Sequence, residues 1–198
     1  MSYSPEHKRR TRERIVESAA RLFKRDGFEN TGIDAIMADA DLTRGGFYAH
    51  FKSKEELFAE AIRPPCFYDG EALAKLQSRD KLRRIIEAYL SRGHRDNPGA
   101  GCALPALAGD VARTQGDARK RYSRLATGLV KVIEKGLEIP DKAKAEKTAF
   151  ATLALLIGGL SLARALGSGR ISDRILAACR ESAFSLTGSA SDDRPPYH

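Results

Sequence analysis

The stretch Thr43-Arg44-Gly45-Gly46-Phe47-Tyr48-Ala49-His50 gathers residue types that bind a polyanion. Arg44 can donate bidentately to the O6 and N7 edge of a guanine. Tyr48, His50 and the Thr43 hydroxyl can bond phosphate oxygens. Gly45 and Gly46 carry no side chain to hold a duplex away from the backbone. Lys54 falls in the first turn of a helix announced by Ser53-Lys54-Glu55-Glu56, where free N–H groups already favour an anion. Thr31 stands just before Ile33, placed to cap the helix that starts there. The chemistry expected of this set is DNA binding.

Other reactive residues give weaker patterns. The histidines His7, His50, His94 and His198 lack metal-ligand spacing, and neither a Gly-rich phosphate loop nor a nucleophile elbow occurs. We therefore expect no catalytic residue, no metal and no cofactor. The cysteines Cys66, Cys102 and Cys179 form an odd set without a Cys-x-x-Cys pair, which fits a reducing, cytoplasmic compartment. Cys102 is the one with chemical interest. Gly99-Ala100-Gly101 leads into it and a helix follows, so its thiol sits near a helix N-terminus. That placement can lower a thiol pKa and make it a target for electrophiles. The bland alternative is a small buried residue.

The elements that must position these groups read as helices throughout. Ser4-Pro5-Glu6 opens the first, and Ile15, Val16, Ala19, Leu22 and Phe23 keep helical spacing up to a stop at Gly27. Two short helices follow, Ile33 to Ala40 and Thr43 to about His50, separated by a tight turn. Ile33, Ile36, Met37, Leu42, Phe47 and Phe51 would pack on the first helix. That arrangement leaves Thr43, Arg44, Gly45, Gly46, Tyr48 and His50 facing outward, as in a helix-turn-helix. A capping box at Ser53 starts the next helix, which carries Leu57, Phe58 and Ile62, and Pro64-Pro65 breaks it. Further helices are expected at about 79–93, 102–112, 117–138, 141–167 and 171–187. No stretch alternates with period two long enough to be a strand, so the fold class is all-α. The expected domains are 1–63, which binds DNA, and 64–188, with a frayed tail at 189–198.

The run from Thr11 to Ile62 resembles the TetR family of transcriptional regulators. The likeness rests on Gly27-Phe28, Thr31, Ile33-Asp34-Ala35-Ile36, Thr43-Arg44-Gly45-Gly46-Phe47-Tyr48 and His50-Phe51-Lys52-Ser53-Lys54-Glu55-Glu56-Leu57. The resemblance implies an all-α homodimer with an N-terminal DNA-binding domain and a larger C-terminal ligand and dimer domain. Two departures stand out. Asp41 occupies the turn where the family usually carries Gly; Asp accepts a left-handed backbone better than most residues, so Asp41 is expected at positive φ. Pro64-Pro65 interrupts a helix that in the family usually runs on between the domains.

The C-terminal part supplies candidates for the remaining roles. Ile86, Tyr89, Cys102, Leu104, Leu107, Val111, Tyr122, Leu125 and Phe150 are the apolar and aromatic residues expected to line an effector pocket. The helix at 141–167 is apolar almost all round. Its stripe Phe150, Ala154, Ile157, Gly158, Ser161 and Ala165 is a second face beside Leu153, Leu156 and Leu160. The helix at 171–187 presents Ile175, Ala178, Cys179, Ser182 and Leu186. By the resemblance, these two stripes form a four-helix dimer interface. The longest nearly apolar run, Ala149 to Ala163, is shorter than the roughly 18–20 residues that span a bilayer, so no membrane partner is expected.

Composition fits a soluble globular protein with rather high charge. The 198 residues carry 34 Lys+Arg against 26 Asp+Glu, a net charge of +8, with 42% hydrophobic residues. A surplus of that sign suits a polyanionic partner. It does not locate the DNA site, because residues 1–63 are almost charge-balanced and the excess lies in 64–198. With 17 Gly, 8 Pro and this apolar content, collagen-like, mucin-like and wholly disordered classes are excluded. The reading is a DNA-binding regulator, a repressor released from a palindromic operator by a small-molecule or electrophilic effector. The alternatives are an all-α enzyme and a non-specific architectural DNA binder.

Overall fold

Helix α1, Pro5–Asp26, begins where the sequence places it. The Ser4 hydroxyl accepts from the His7 N–H at 3.2 Å, and Pro5 fills the first turn. Gly27 ends the helix at φ +83°, and its N–H donates to the Phe23 carbonyl. One face of α1 buries Ile15, Val16, Ala19, Leu22 and Phe23. The structure, a computed structural model, describes residues 4–64 and 78–188. Pro65, Cys66 and the expected tail at 189–198 lie outside the described residues.

Helix α2, Ile33–Asp39, packs on α1, and Leu42 N–H donates to the Met37 carbonyl at 2.8 Å to close the turn. Asp41 has φ +55°, the left-handed conformation expected of it. Thr31 does not cap α2. Gly32 is the capping position, and the buried Thr31 hydroxyl donates to the Gly27 carbonyl at 2.7 Å. The second short helix is a 3₁₀ helix, Arg44–Ala49, not an α-helix. Its bonds run over three residues, from Gly46 N–H to the Thr43 carbonyl and from His50 N–H to Phe47. Adjacent glycines are poor α-formers, and a short 3₁₀ piece is the compact way to close this turn. Helix α3, Lys54–Ala61, has the expected cap: Glu56 N–H donates to the Ser53 hydroxyl, and the Glu56 carboxylate accepts from Lys52 N–H at 2.7 Å. Pro64 follows its end.

The described residues fall into two compact units. The first joins α1 to α3 with residues 97–126, which comprise a 3₁₀ turn at Pro98–Ala100, helix α6 (Ala103–Ala112) and the start of α7 (Asp117–Gly136). The packing units interleave along the chain: residues 97–126, within the expected 64–188 block, pack with α1 to α3. Apolar burial is the cause. Leu107, Val111 and Ala118 sit in one core with Phe23, Phe58 and Ile36. Polar contacts follow the same seam: Lys24 donates to the Gly101 carbonyl at 2.9 Å, and Phe28 N–H donates to the Asp110 carboxylate at 3.3 Å.

The second unit holds α4 (Ser78–Tyr89), α5 (Arg92–Asp96), the rest of α7, α8 (Lys142–Ala165) and α9 (Arg170–Thr187). The single helix expected at 79–93 divides at Leu90-Ser91, where the Ser91 hydroxyl accepts from His94 N–H. Arg95 is buried and donates to Asp96, Ser172 and Asp173, joining α5 to α9. Helices α8 and α9 lie in close contact. A Cβ added at Gly159 would lie 2.7 Å from Cys179 Sγ, so only glycine fits there. The inward face of α8 holds Leu153, Leu156 and Leu160. By length and composition α8 would also suit a membrane crossing; here its inward face is core packing.

Candidate nucleic-acid interface

Four aromatic and apolar side chains fix the recognition segment from below. Phe47 and Phe51 are fully buried, with ring centroids 5.8 Å apart, and Ile36 and Met37 complete the contact with α1. A 3₁₀ turn anchored through Phe47 must present its other residues to solvent. Thr43, Arg44, Gly45 and Tyr48 are exposed, Tyr48 by 65%, while Gly46 and His50 are half-buried.

Each expected contact residue has a definite environment. The Arg44 guanidinium donates to the Asp34 carboxylate on α2 at 2.9 Å. The Lys54 amine sits 4.3 Å from the centre of the Phe28 ring, a cation–π contact from which it can swing to a phosphate. The His50 Nδ1 is buried without a hydrogen-bond partner, and burial with nearby Lys8, Arg12 and His7 holds the imidazole pKa below its usual 6.5. Neutral His50 is thus a weaker phosphate ligand than an imidazolium. Thr31 leaves the surface set, because its hydroxyl is buried and bonded to Gly27.

The basic residues of α1 divide into structural and exposed groups. Arg12 lies over the Phe51 ring at 4.3 Å and donates to Glu60. Arg14 donates to the Ala40 carbonyl at the end of α2, and Arg63, two residues beyond α3, donates to Glu13. Asp39 accepts from Ser18 and Arg21, which together hold its carboxyl below the usual range. Lys8 and Arg9 lie on the exposed side of the first turns. Asp34, Arg12 and Arg14 hold contacts around this segment that the sequence does not single out, because charge at a helix surface carries no periodic signal that distinguishes a partner from a solvated side chain.

The residues expected to line an effector pocket are divided between the two units. Ile86 and Tyr89 are buried in the second unit, and Cys102, Leu104, Leu107 and Val111 are buried in the first. Tyr122 donates to the Leu104 carbonyl at 2.7 Å, and its burial pushes the phenol pKa up to about 12. Phe150 is 51% exposed. A cavity of about 480 Å³ in the first unit is lined instead by Glu55, Glu56, Glu60, Phe58, Thr114 and Arg121, among others. None of the nine expected residues borders it; Ile86, Tyr89, Cys102, Leu104, Leu107 and Val111 are buried, and Tyr122 and Leu125 are half-buried. Cys102 occupies the N-cap position of α6 without a side-chain cap hydrogen bond, and it is fully buried. Among the described residues no metal-binding cluster occurs.

Residues 15–61 match the family model for bacterial regulatory proteins of the tetR family, and residues 78–179 match a tetracyclin repressor-like C-terminal domain. The chain belongs to the TetR family. TetR-family chains are helix-turn-helix transcriptional regulators rather than enzymes, which fits the outward recognition segment. The HTH-type transcriptional regulator YerO of Bacillus subtilis (strain 168) is 37% identical over 67 residues, which cover 34% of this chain and 22% of YerO. The HTH-type transcriptional repressor NemR of Escherichia coli (strain K12) is 25% identical over 134 residues, covering 65% of this chain and 67% of NemR. The chain thus spans under a quarter of YerO and about two thirds of NemR. A TetR-family regulator from Cytophaga hutchinsonii shares the fold, with TM-score 0.74 and 23% identity over 98% of this chain and 100% of that one. In this TetR-family chain the second family match, from residue 78, starts beyond Pro64.

Proposed function

We propose that this chain is a cytoplasmic repressor that binds a palindromic operator as a homodimer and leaves it when a small molecule binds. The observation that carries the reading is one shared core. The recognition segment rests on Phe47 and Ile36, and that core continues into Leu107 and Val111 of α6. A ligand that repacks α6 around Cys102, Leu104, Leu107, Tyr122 and Leu125 would therefore move groups that position the 3₁₀ recognition turn. Two such turns in a dimer would enter major grooves about 34–36 Å apart, and a change in their spacing lowers operator affinity. The DNA contacts in this reading are Thr43, Arg44, Gly45, Gly46, Tyr48, His50 and Lys54. The homodimer would form through the exposed stripes of α8 and α9.

The test is a duplex selection with purified protein, repeated with candidate effectors. A palindromic motif lost on effector addition supports the reading; equal affinity for random duplex supports an architectural binder instead. An electrophile arm, run on wild type and Cys102→Ser, separates covalent release from reversible apolar binding. Because Cys102 is fully buried, release by electrophile is expected to be slow and equal in both proteins.

A further inference from the structure

An acid on a DNA-facing surface is unusual, because each phosphate repels it. Asp34 occupies the first turn of α2, where its carboxylate is 64% exposed, and takes a hydrogen bond from Arg44 Nη1 at 2.9 Å. The bond crosses between the two elements of the helix-turn-helix. It is the contact described for the Arg44 guanidinium, and an exposed pair of this kind adds little to stability. Its consequence is geometric: of the five guanidinium donors, it fixes one and leaves the others held in a single plane.

We propose that Asp34 is a specificity-determining residue of the DNA reading, pairing with Arg44 so that the two read adjacent base edges as a unit. This rests on the operator-binding reading above. Arg44 donates to guanine O6 and N7 with the donors that Asp34 leaves unused. The second oxygen of Asp34 is an acceptor. In the major groove it is satisfied by an amino edge, cytosine N4 foremost, and is repelled by the O6, O4 and N7 acceptors. The carboxylate therefore costs affinity for every duplex through the phosphates and costs most where no amino group meets it. That is discrimination by penalty: a wrong base leaves the second carboxylate oxygen desolvated against another acceptor. Arg44 alone would bind guanine; Arg44 with Asp34 requires guanine beside an amino-bearing base.

Duplex selection and salt-dependent binding to random duplex would be measured for wild type, Asp34→Asn, Asp34→Ser and Arg44→Ala. The neutral variants are expected to bind random duplex more tightly than wild type. Their preference at the cytosine position should fall roughly 5-fold or more, the range of a good base contact. Their thermal melts should fall only slightly, since the pair is exposed and a first-turn carboxylate stabilises its helix modestly. Arg44→Ala should lose the guanine preference, and in the double variant Asp34→Asn should then change random-duplex affinity but no longer the selected motif. A wild-type protein that selects no motif at all overturns the operator reading. A wild-type motif kept unchanged in Asp34→Asn and Asp34→Ser, with unchanged random-duplex affinity, overturns the role of Asp34 alone.

Discussion

Arg44, Lys54 and His50 sit within one short stretch yet answer to different physics. Arg44 is exposed and can reach a base edge, so Arg44→Ala is expected to cost about 1–3 kcal/mol of operator binding and to relax preference at one position per half-site. Lys54 reads only charge. Lys54→Ala should weaken all duplexes alike and reduce the salt slope by about one, measurable by titration at several salt concentrations. Equal losses of specificity in both variants would contradict this division. His50 supplies a pH dependence. Its folded pKa is below the usual 6.5, because burial and the charges of Lys8, Arg12 and His7 disfavour the imidazolium. Between that lowered value and 6.5 the unfolded chain holds more protons than the folded one, so stability rises with pH across the window and is lost as pH falls through it. NMR titration of the ring should give a pKa below 6.5, and His50→Gln should flatten this part of the acid limb in urea unfolding; a pKa at or above 6.5 refutes the assignment.

Among the elements, two neighbouring glycines of α8 separate core from surface. A side chain at Gly159 would collide with Cys179 Sγ at 2.7 Å and its Cβ at 3.0 Å, and Leu90 would stand 3.4 Å away. Gly159→Ala is therefore expected to destabilise by about 1–3 kcal/mol, the usual range for overpacking, as read from the urea midpoint. Gly158 has nothing within 4 Å of an added Cβ, so Gly158→Ala should be neutral or slightly stabilising. Reversed effects would mean that α8 is rotated. The helices were legible in the sequence because capping and spacing are local: Ser4, Gly27, Ser53 and Asp141 each mark a boundary by side-chain or backbone chemistry that needs no partner. Asp41 was legible too, since few residues tolerate its turn. The 3₁₀ form of the recognition turn was not, because Gly45-Gly46 lowers α preference without naming what replaces it. Nor was the recruitment of α6 to the first unit. Leu107 and Val111 look the same to periodicity whichever core receives them, and Thr31 looks like a cap until its hydroxyl finds Gly27.

At the scale of the molecule the question is what covers the outer stripe of α8 and α9. Phe150 and Leu186 are exposed by 51% and 45%, Ala154, Gly158, Ala165, Ala178 and Ser182 are also exposed, and Ile157, Ser161 and Ile175 are half-buried. Cys179 departs from the stripe, because its sulfur packs over Gly159 of its own chain and burial raises its pKa. Large apolar side chains beside small residues on two adjacent helices form a surface that another copy can approach closely, and a two-fold axis would double each contact. A charge placed there tests the idea without touching the inner core. Gly158→Glu adds a carboxylate where the isolated chain has open space, so the folded unit should keep its helicity and its melting behaviour as a monomer. In a dimer the same carboxylate would be buried without a partner, which is costly. Sedimentation should show a single-chain mass for the variant and twice that mass for wild type. Operator affinity should collapse together with the dimer, since half-sites one helical turn apart need two recognition turns joined at fixed spacing. Wild-type dimers that persist in Gly158→Glu would place the symmetric contact elsewhere, and the exposed Leu162, Leu166 and Ile171 at the α8–α9 end would be the next surface to charge.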